Sequence, residues 1–159
     1  MSEKLSVKVK TKELLEAIKI VENFISREKM GKESLKGICI ETNQKENILI
    51  LRTTDLKISA KVEMLGQVNK AGKAVVSCKI FKDLIKGISG TNVNIAIEKE
   101  KMVIQTANSK SLISLIEDVE FPVWAGVDKL KYYSVQKSDL KNIFESVKFS
   151  ASVNPENEA

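Results

Sequence analysis

The chain has 159 residues, with 26 Lys and Arg against 21 Asp and Glu, and its formal net charge is +5. This length supplies one well-filled core but not two ordinary domains, and the scarcity of glycine (7) and proline (2) argues against a disordered chain. The sequence contains no histidine, so the commonest general base and metal ligand is missing and an enzyme is disfavoured.

Neither a membrane anchor nor a secretion signal is evident in the sequence. No apolar run approaches the roughly 20 residues that span a bilayer, and the N-terminal residues lack the apolar core of a signal peptide. We therefore expect no membrane partner and a soluble, cytoplasmic protein. Cys39 and Cys78 lie in apolar, strand-like segments and are predicted to be buried free thiols.

Strand signals run through most of the chain, as segments that alternate apolar and polar residues with the two-residue period of half-buried antiparallel strands. The predicted strands are 5–10, 35–42, 47–53, 58–65, 74–78, 93–98, 102–107, 111–116 and 132–136. Turn-forming residues separate them, including Asn43, the pair Gly66 and Gln67, and Gly90.

Three segments with helical spacing follow strands directly and begin near residues 11, 79 and 137. Their predicted buried stripes are Leu14, Ile18, Val21 and Ile25; Phe81, Ile85 and Ile88; and Leu140, Phe144 and Val147. Thr11 is the predicted N-cap of the first helix. Each such helix buries one face against a sheet and leaves the other face free for a partner.

The strand-helix units are copies of one pattern. Val9, Val76 and Val135 occupy equivalent positions, so the copies are offset by 67 and then by 59 residues. A period of about 60 residues suits a duplicated α+β unit with several strands per helix, here in the order β-α-β-β-β given twice. The third copy follows a connector at 117–131 and lacks the hairpins of the first two.

Lysine predominates on the charged sides of the three helices. The stretches 10–27, 79–86 and 137–148 carry net charges of +1, +2 and +1, which together make +4 of the total of +5. One interpretation is that lysine is simply a good helix former on solvated faces. The other is a basic surface that follows a phosphate backbone through salt-sensitive contacts without base readout.

Motifs that carry chemistry are missing from the sequence. There is no phosphate-binding glycine loop and no Cys/His cluster with metal-ligand spacing. Glu117, Asp118 and Glu120 fall in the connector, and Asp55 is predicted to bond to nearby backbone amides in a turn. The residues therefore predict no catalytic site, metal or cofactor.

Four segments, in this order, resemble the bacterial sliding-clamp family, the beta subunits of DNA polymerase III. The segment 52–64 (RTTDLKISAKVEM) is similar to the family's T-G-T-D-L-E and the strand after it, and 75–89 (VVSCKIFKDLIKGIS) to its V-P-A-K-K-L-x-D-I-x-x-x-L. The segment 115–122 (LIEDVEFP) resembles the L-P-x-x-x-F-P that closes the first clamp domain, and 133–152 (YSVQKSDLKNIFESVKFSAS) the opening of the second. The resemblance covers essentially all of the chain.

The resemblance implies an α+β DNA-clamp fold: duplicated β-α-β-β-β halves with helices on the inner face and antiparallel sheets outside. Residues 1–128 are then expected to form the first clamp domain, and 129–159 the truncated start of the second. Because clamps of this family carry three such domains, we expect a fragment that cannot form a ring alone. The family's groove for polymerase and clamp-loader peptides lies between its second and third domains and is not expected here.

The resemblance also implies a non-catalytic function. The family's ring closes as a homodimer, encircles duplex DNA without sequence preference, and tethers DNA polymerase III after loading by a clamp loader. The alternative is a protein–protein adaptor of the same fold whose helices never meet nucleic acid.

The resemblance turns the helix lysines into expected DNA-facing residues: Lys12, Lys19, Lys82, Lys86, Lys141 and Lys148. Arg27 matches a basic residue that the family places near DNA, and Asn154 falls in a loop that clamps turn toward the duplex. Where the family usually has R-P-T-L-P-I-L after the first helix, this chain has EKMGKESL at 28–35, without either proline.

Overall fold

The computed structural model describes residues 5–26, 33–116, 121–122 and 134–151. The strands are β1 Ser6–Lys10, β2 Gly37–Asn43, β3 Ile48–Thr54, β4 Ser59–Leu65, β5 Gln67–Lys70, β6 Gly72–Ser77, β7 Asn92–Glu98, β8 Lys101–Gln105 and β9 Lys110–Ser114. The helices are α1 Thr11–Val21, α2 Cys78–Lys86 and α3 Lys137–Val147. The chain divides into two units, Met1–Trp124 and Ala125–Ala159.

The nine strands of the described residues belong to the first unit and form two antiparallel sheets. One sheet has the order β5-β1-β7-β8-β9 and the other β4-β3-β2-β6. The two halves of the duplication exchange their first strands: β1 pairs with β7, with Val9 opposite Val93, and β6 pairs with β2, with Ala74 opposite Ile40. Neither half can therefore complete a sheet by itself.

The predicted repeat is confirmed by where the helices begin. α1 starts at Thr11, α2 at Cys78 and α3 at Lys137, which reproduces the offsets of 67 and 59 residues. In the first two copies a strand runs into its helix without a loop, so the end of the strand fixes where the helix begins.

Strand prediction was wrong in two places. Gly66 and Gln67 were predicted as a turn, but Gln67–Lys70 forms β5, which pairs with β1. Only Val68 of β5 is buried, so this strand carries a single apolar position and no alternation to detect. Residues 134–136 are not in a strand, and 132–133 lie outside the described residues.

Most residues of the predicted stripes of the first two helices lie in the core of the first unit. Ile25 and Ile88 are the exceptions, since they follow the ends of α1 and α2 and are only partly buried. Leu14, Ile18, Val21, Phe81 and Ile85 are fully buried. α1 packs against β3 and β4, α2 packs against β2, β6 and β9, and the two helices contact each other. Fully burying a side chain of this size contributes about 1.5–3 kcal/mol, so these positions account for much of the fold's stability.

The prediction of Thr11 as an N-cap was wrong. Lys10 occupies the N-cap position with extended backbone angles and makes no side-chain capping bond. Thr11 is the first helical residue, and its backbone N–H donates to the carbonyl of Thr91 at 2.9 Å. Because β1 passes straight into α1, the last strand residue takes the cap position whatever its side chain.

Two other local predictions are confirmed. Asp55 Oδ1 accepts from the backbone N–H groups of Ile58 at 2.7 Å and Lys57 at 2.9 Å, and these bonds lower the pKa of the carboxyl. Cys39 and Cys78 are buried free thiols. Their burial raises the pKa of each from 9.0 to about 11.

The third helix differs from the first two. Its predicted stripe is exposed rather than buried, at 42% for Leu140, 62% for Phe144 and 54% for Val147. Within the second unit, the described residues 134–151 contain no strand against which this helix could pack. Periodicity correctly identified the apolar side of the helix, but burial also needs an element to cover that side.

No helix in the described ranges is long and apolar enough to cross a membrane.

Candidate nucleic-acid interface

The exposed sides of α1 and α2 form what we call the helix surface: Lys12, Glu16, Lys19, Lys79, Asp83 and Lys86. Lys12 and Lys19 are seven residues apart, which places them two turns apart on one side of α1. None of the four lysines forms an ion pair with another described residue. Each therefore presents a free ammonium group to solvent.

Lys79 was missed in the sequence prediction. It is exposed, lies three residues before Lys82 and seven before Lys86, and so continues the same side of α2. The signal was available, since the i, i+3, i+7 spacing of the three lysines is a helical stripe. The prediction used only the i, i+4 pair.

Lys82 differs from its neighbours because it is held by a carboxylate. Its Nζ donates to Oε2 of Glu22 at 2.6 Å, and the two side chains are only 32% and 25% exposed. The hydrogen bond to Glu22 raises the pKa of Lys82, because the carboxylate stabilises the charged ammonium. Glu22 directly follows α1, and Lys12 lies in the first turn of that helix. The two residues are therefore at opposite ends of α1, about 15 Å apart along the axis.

The position of α1 is fixed at its C-terminal end by a buried hydrogen bond. Thr53 Oγ1 donates to the carbonyl of Val21 at 2.6 Å, which satisfies one of the carbonyls that a helix end leaves unpaired. Thr53 belongs to β3, so this bond ties the helix to the sheet beneath it. The bond therefore helps to hold α1 in place on the sheet.

The positive charge of the helix surface is shared by its two helices. With the ion pairs Lys10–Glu13 and Lys82–Glu22 set aside, α1 carries Lys12 and Lys19 against Glu16, and α2 carries Lys79 and Lys86 against Asp83. Glu13 is itself paired with Lys10 at 2.8 Å. The helix surface consequently has only a small net positive charge.

The remaining predicted residues lie outside α1 and α2. Lys141 and Lys148 are exposed on and just after α3, in the second unit, and Lys148 pairs with Glu145. Arg27 and Asn154 lie outside the described residues. Among the described residues, no group of three Cys, Asp or Glu side chains could hold a metal ion.

Two interleaved β-α-β-β-β halves, with paired helices that present lysines, define a domain of the clamp class. The family model described as DNA polymerase III beta subunit, N-terminal domain, matches residues 5–125. The chain belongs to this family.

Known sliding clamps are similar to this chain over most of its length. The beta sliding clamp of Chlamydia muridarum is 23% identical over 120 residues, and that of Staphylococcus epidermidis 25% identical over 127; each match covers 74% of this chain. These matches cover 32% and 33% of the two relatives, so the chain spans about a third of their length.

A solved structure confirms the predicted α+β clamp fold. The DNA polymerase sliding clamp of Bacillus subtilis superimposes with a TM-score of 0.88 at 16% identity, covering 98% of this chain and 42% of that chain. At this identity the likeness concerns the fold alone.

Proposed function

We propose that this chain supplies part of a sliding clamp, a non-catalytic ring that encircles duplex DNA and tethers DNA polymerase III. The observation that carries the proposal is the pair of contacting helices whose exposed sides bear Lys12, Lys19, Lys79 and Lys86. Residues 1–128 are the proposed first clamp domain and 129–159 the start of the second, and Lys141 and Lys148 are proposed DNA-facing residues of that second domain.

The modest charge of the helix surface suits sliding. A ring held by topology needs contacts that are weak, directed to phosphates and indifferent to sequence, because tight or base-specific contacts would stall it. Lysines on helix faces supply such contacts by displacing counterions from the backbone. Their number sets how steeply binding falls with salt.

The proposed partners are those of a working clamp in the bacterial cytoplasm. They are duplex DNA, DNA polymerase III, the clamp loader, and a second copy of the ring-forming chain. The Helicobacter pylori beta clamp has been solved bound to a DNA ligase peptide, and the same class of peptide partner is proposed for the clamp that contains this domain.

Binding of the 159-residue chain to two short duplexes of unrelated sequence, followed by fluorescence anisotropy over a range of salt, tests the proposal. We expect weak binding, equal for both sequences, that the triple variant K12Q/K19Q/K86Q reduces to near the detection limit. The matched control K8Q/K73Q/K101Q removes the same charge from exposed strand lysines and should retain most of the binding.

A second measurement separates the clamp from the adaptor. A ring containing this domain should remain on circular DNA and slide off after the circle is linearised, whereas an adaptor would behave identically on both.

In the anisotropy experiment, equal loss of binding in the two triple variants would mean that net charge alone attracts DNA, which would contradict the assignment of the helix surface.

A further inference from the structure

The middle lysine of the α2 stripe is the one with a partner. The i, i+3, i+7 spacing of Lys79, Lys82 and Lys86 places all three on a single helix side. Of these three, only Lys82 forms an ion pair with another described residue. Its partner, Glu22, comes from the end of α1, 60 residues earlier in the chain. The contact therefore depends on how the two helices pack and belongs to neither helix alone.

An ammonium in this state is a poor contact for phosphate. Affinity for DNA comes from cations that replace the condensed counterions of the backbone, and a lysine neutralised by a carboxylate replaces none. The bond would also have to break first, and charge-assisted hydrogen bonds of this kind are about twice as strong as neutral ones.

We propose that Glu22 withholds Lys82 from DNA and so keeps the affinity of the helix surface below what its lysines would otherwise give. The inference rests on the proposed DNA-binding function and names the residue that limits it. Glu22 is a positioning residue, because it acts on DNA through Lys82. Its effect keeps the contact weak enough for a ring to move.

The variant E22Q in the 159-residue chain tests this, since glutamine preserves the size of the side chain and removes its charge. We expect tighter binding to a short duplex, and a plot of log affinity against log salt that is steeper by about 0.9, the contribution of one added phosphate contact. Adding K82Q to E22Q should remove both changes. K82Q alone should weaken binding less than K86Q does.

E16Q is the matched control, because Glu16 is an exposed carboxylate of the same surface without an ion pair among the described residues. E16Q should increase the affinity for the duplex less than E22Q does, and adding K82Q to E16Q should not cancel that increase. Equal gains from E16Q and E22Q, or a loss from K82Q as large as from K86Q, would overturn the inference while DNA binding stands. If wild type and every variant, each folded by circular dichroism, fail to bind, the DNA-binding function fails and this inference fails with it.

Discussion

The two buried thiols connect the stability of this protein to alkaline pH. Burial disfavours the charged thiolate and raises the pKa of Cys39 and Cys78 to about 11 in the folded chain, against 9.0 for an ordinary thiol. Below pH 9 both states keep their protons. Above it the unfolded chain releases protons that the folded chain retains, so the free energy of unfolding falls as pH rises.

We predict a loss of about 1 kcal/mol per thiol between pH 9 and pH 10. Urea unfolding at both pH values measures it, and the double variant C39A/C78A, although less stable throughout, should lose much less over the same interval. An identical loss in the double variant would assign the effect to other groups.

Single residues also mark the limit of sequence reasoning about the site. Lys82 was predicted to face DNA like its neighbours because the sequence shows only its place in the helix. Its partner is 60 residues away, and nothing local to either residue indicates the contact. Lys79, in contrast, was predictable, because its helical spacing from Lys82 and Lys86 can be read directly from the sequence.

At the scale of elements, the link between β5 and β6 is constrained by close packing. The chain there crosses from one sheet to the other, and a Cβ atom on Gly72 would lie 2.7 Å from the backbone N of Leu5. Leu5 cannot easily move, because its carbonyl accepts from the N–H of Ile97 at 2.9 Å. Glycine is needed at this crossing for space alone.

We therefore predict that G72A lowers the free energy of unfolding by about 1–3 kcal/mol, the usual cost of overpacking. G90A is the matched control, since its added Cβ would make only ordinary contacts, at 3.6 Å or more. It should be neutral or stabilising by less than about 1 kcal/mol. Urea unfolding followed by circular dichroism measures both, and equal values would contradict the close approach at Gly72.

The elements that sequence reasoning recovered share a strong periodic signal. The first two helical segments have three or more apolar residues at helical spacing, and the structure buries all of them except Ile25 and Ile88, which are partly buried. β5 has one buried residue and is held by pairing with β1, a contact between distant parts of the chain. A local sequence pattern predicts an element when the element's own apolar residues are buried. It fails when the element is held mainly by hydrogen bonding to a neighbouring strand.

For the first unit as a whole, the exchange of strands makes the two halves depend on each other. The piece 1–71 lacks the partners that β7 and β6 provide, and the piece 72–159 lacks β1 and β2. We predict that each piece alone is largely unfolded and that mixing them restores the circular dichroism spectrum of the intact chain. Native-like structure in either piece alone would show that the exchanged strands contribute little to stability.

The same exchange affects how the protein is made. β1 is translated before β7, and Val9 meets Val93 only after more than 80 further residues have been added to the chain. Until then that side of the strand has unpaired amide and carbonyl groups, and long-range pairing of this kind folds slowly and is open to aggregation. A nascent-chain chaperone that covers residues 5–10 would protect the growing polypeptide during this interval.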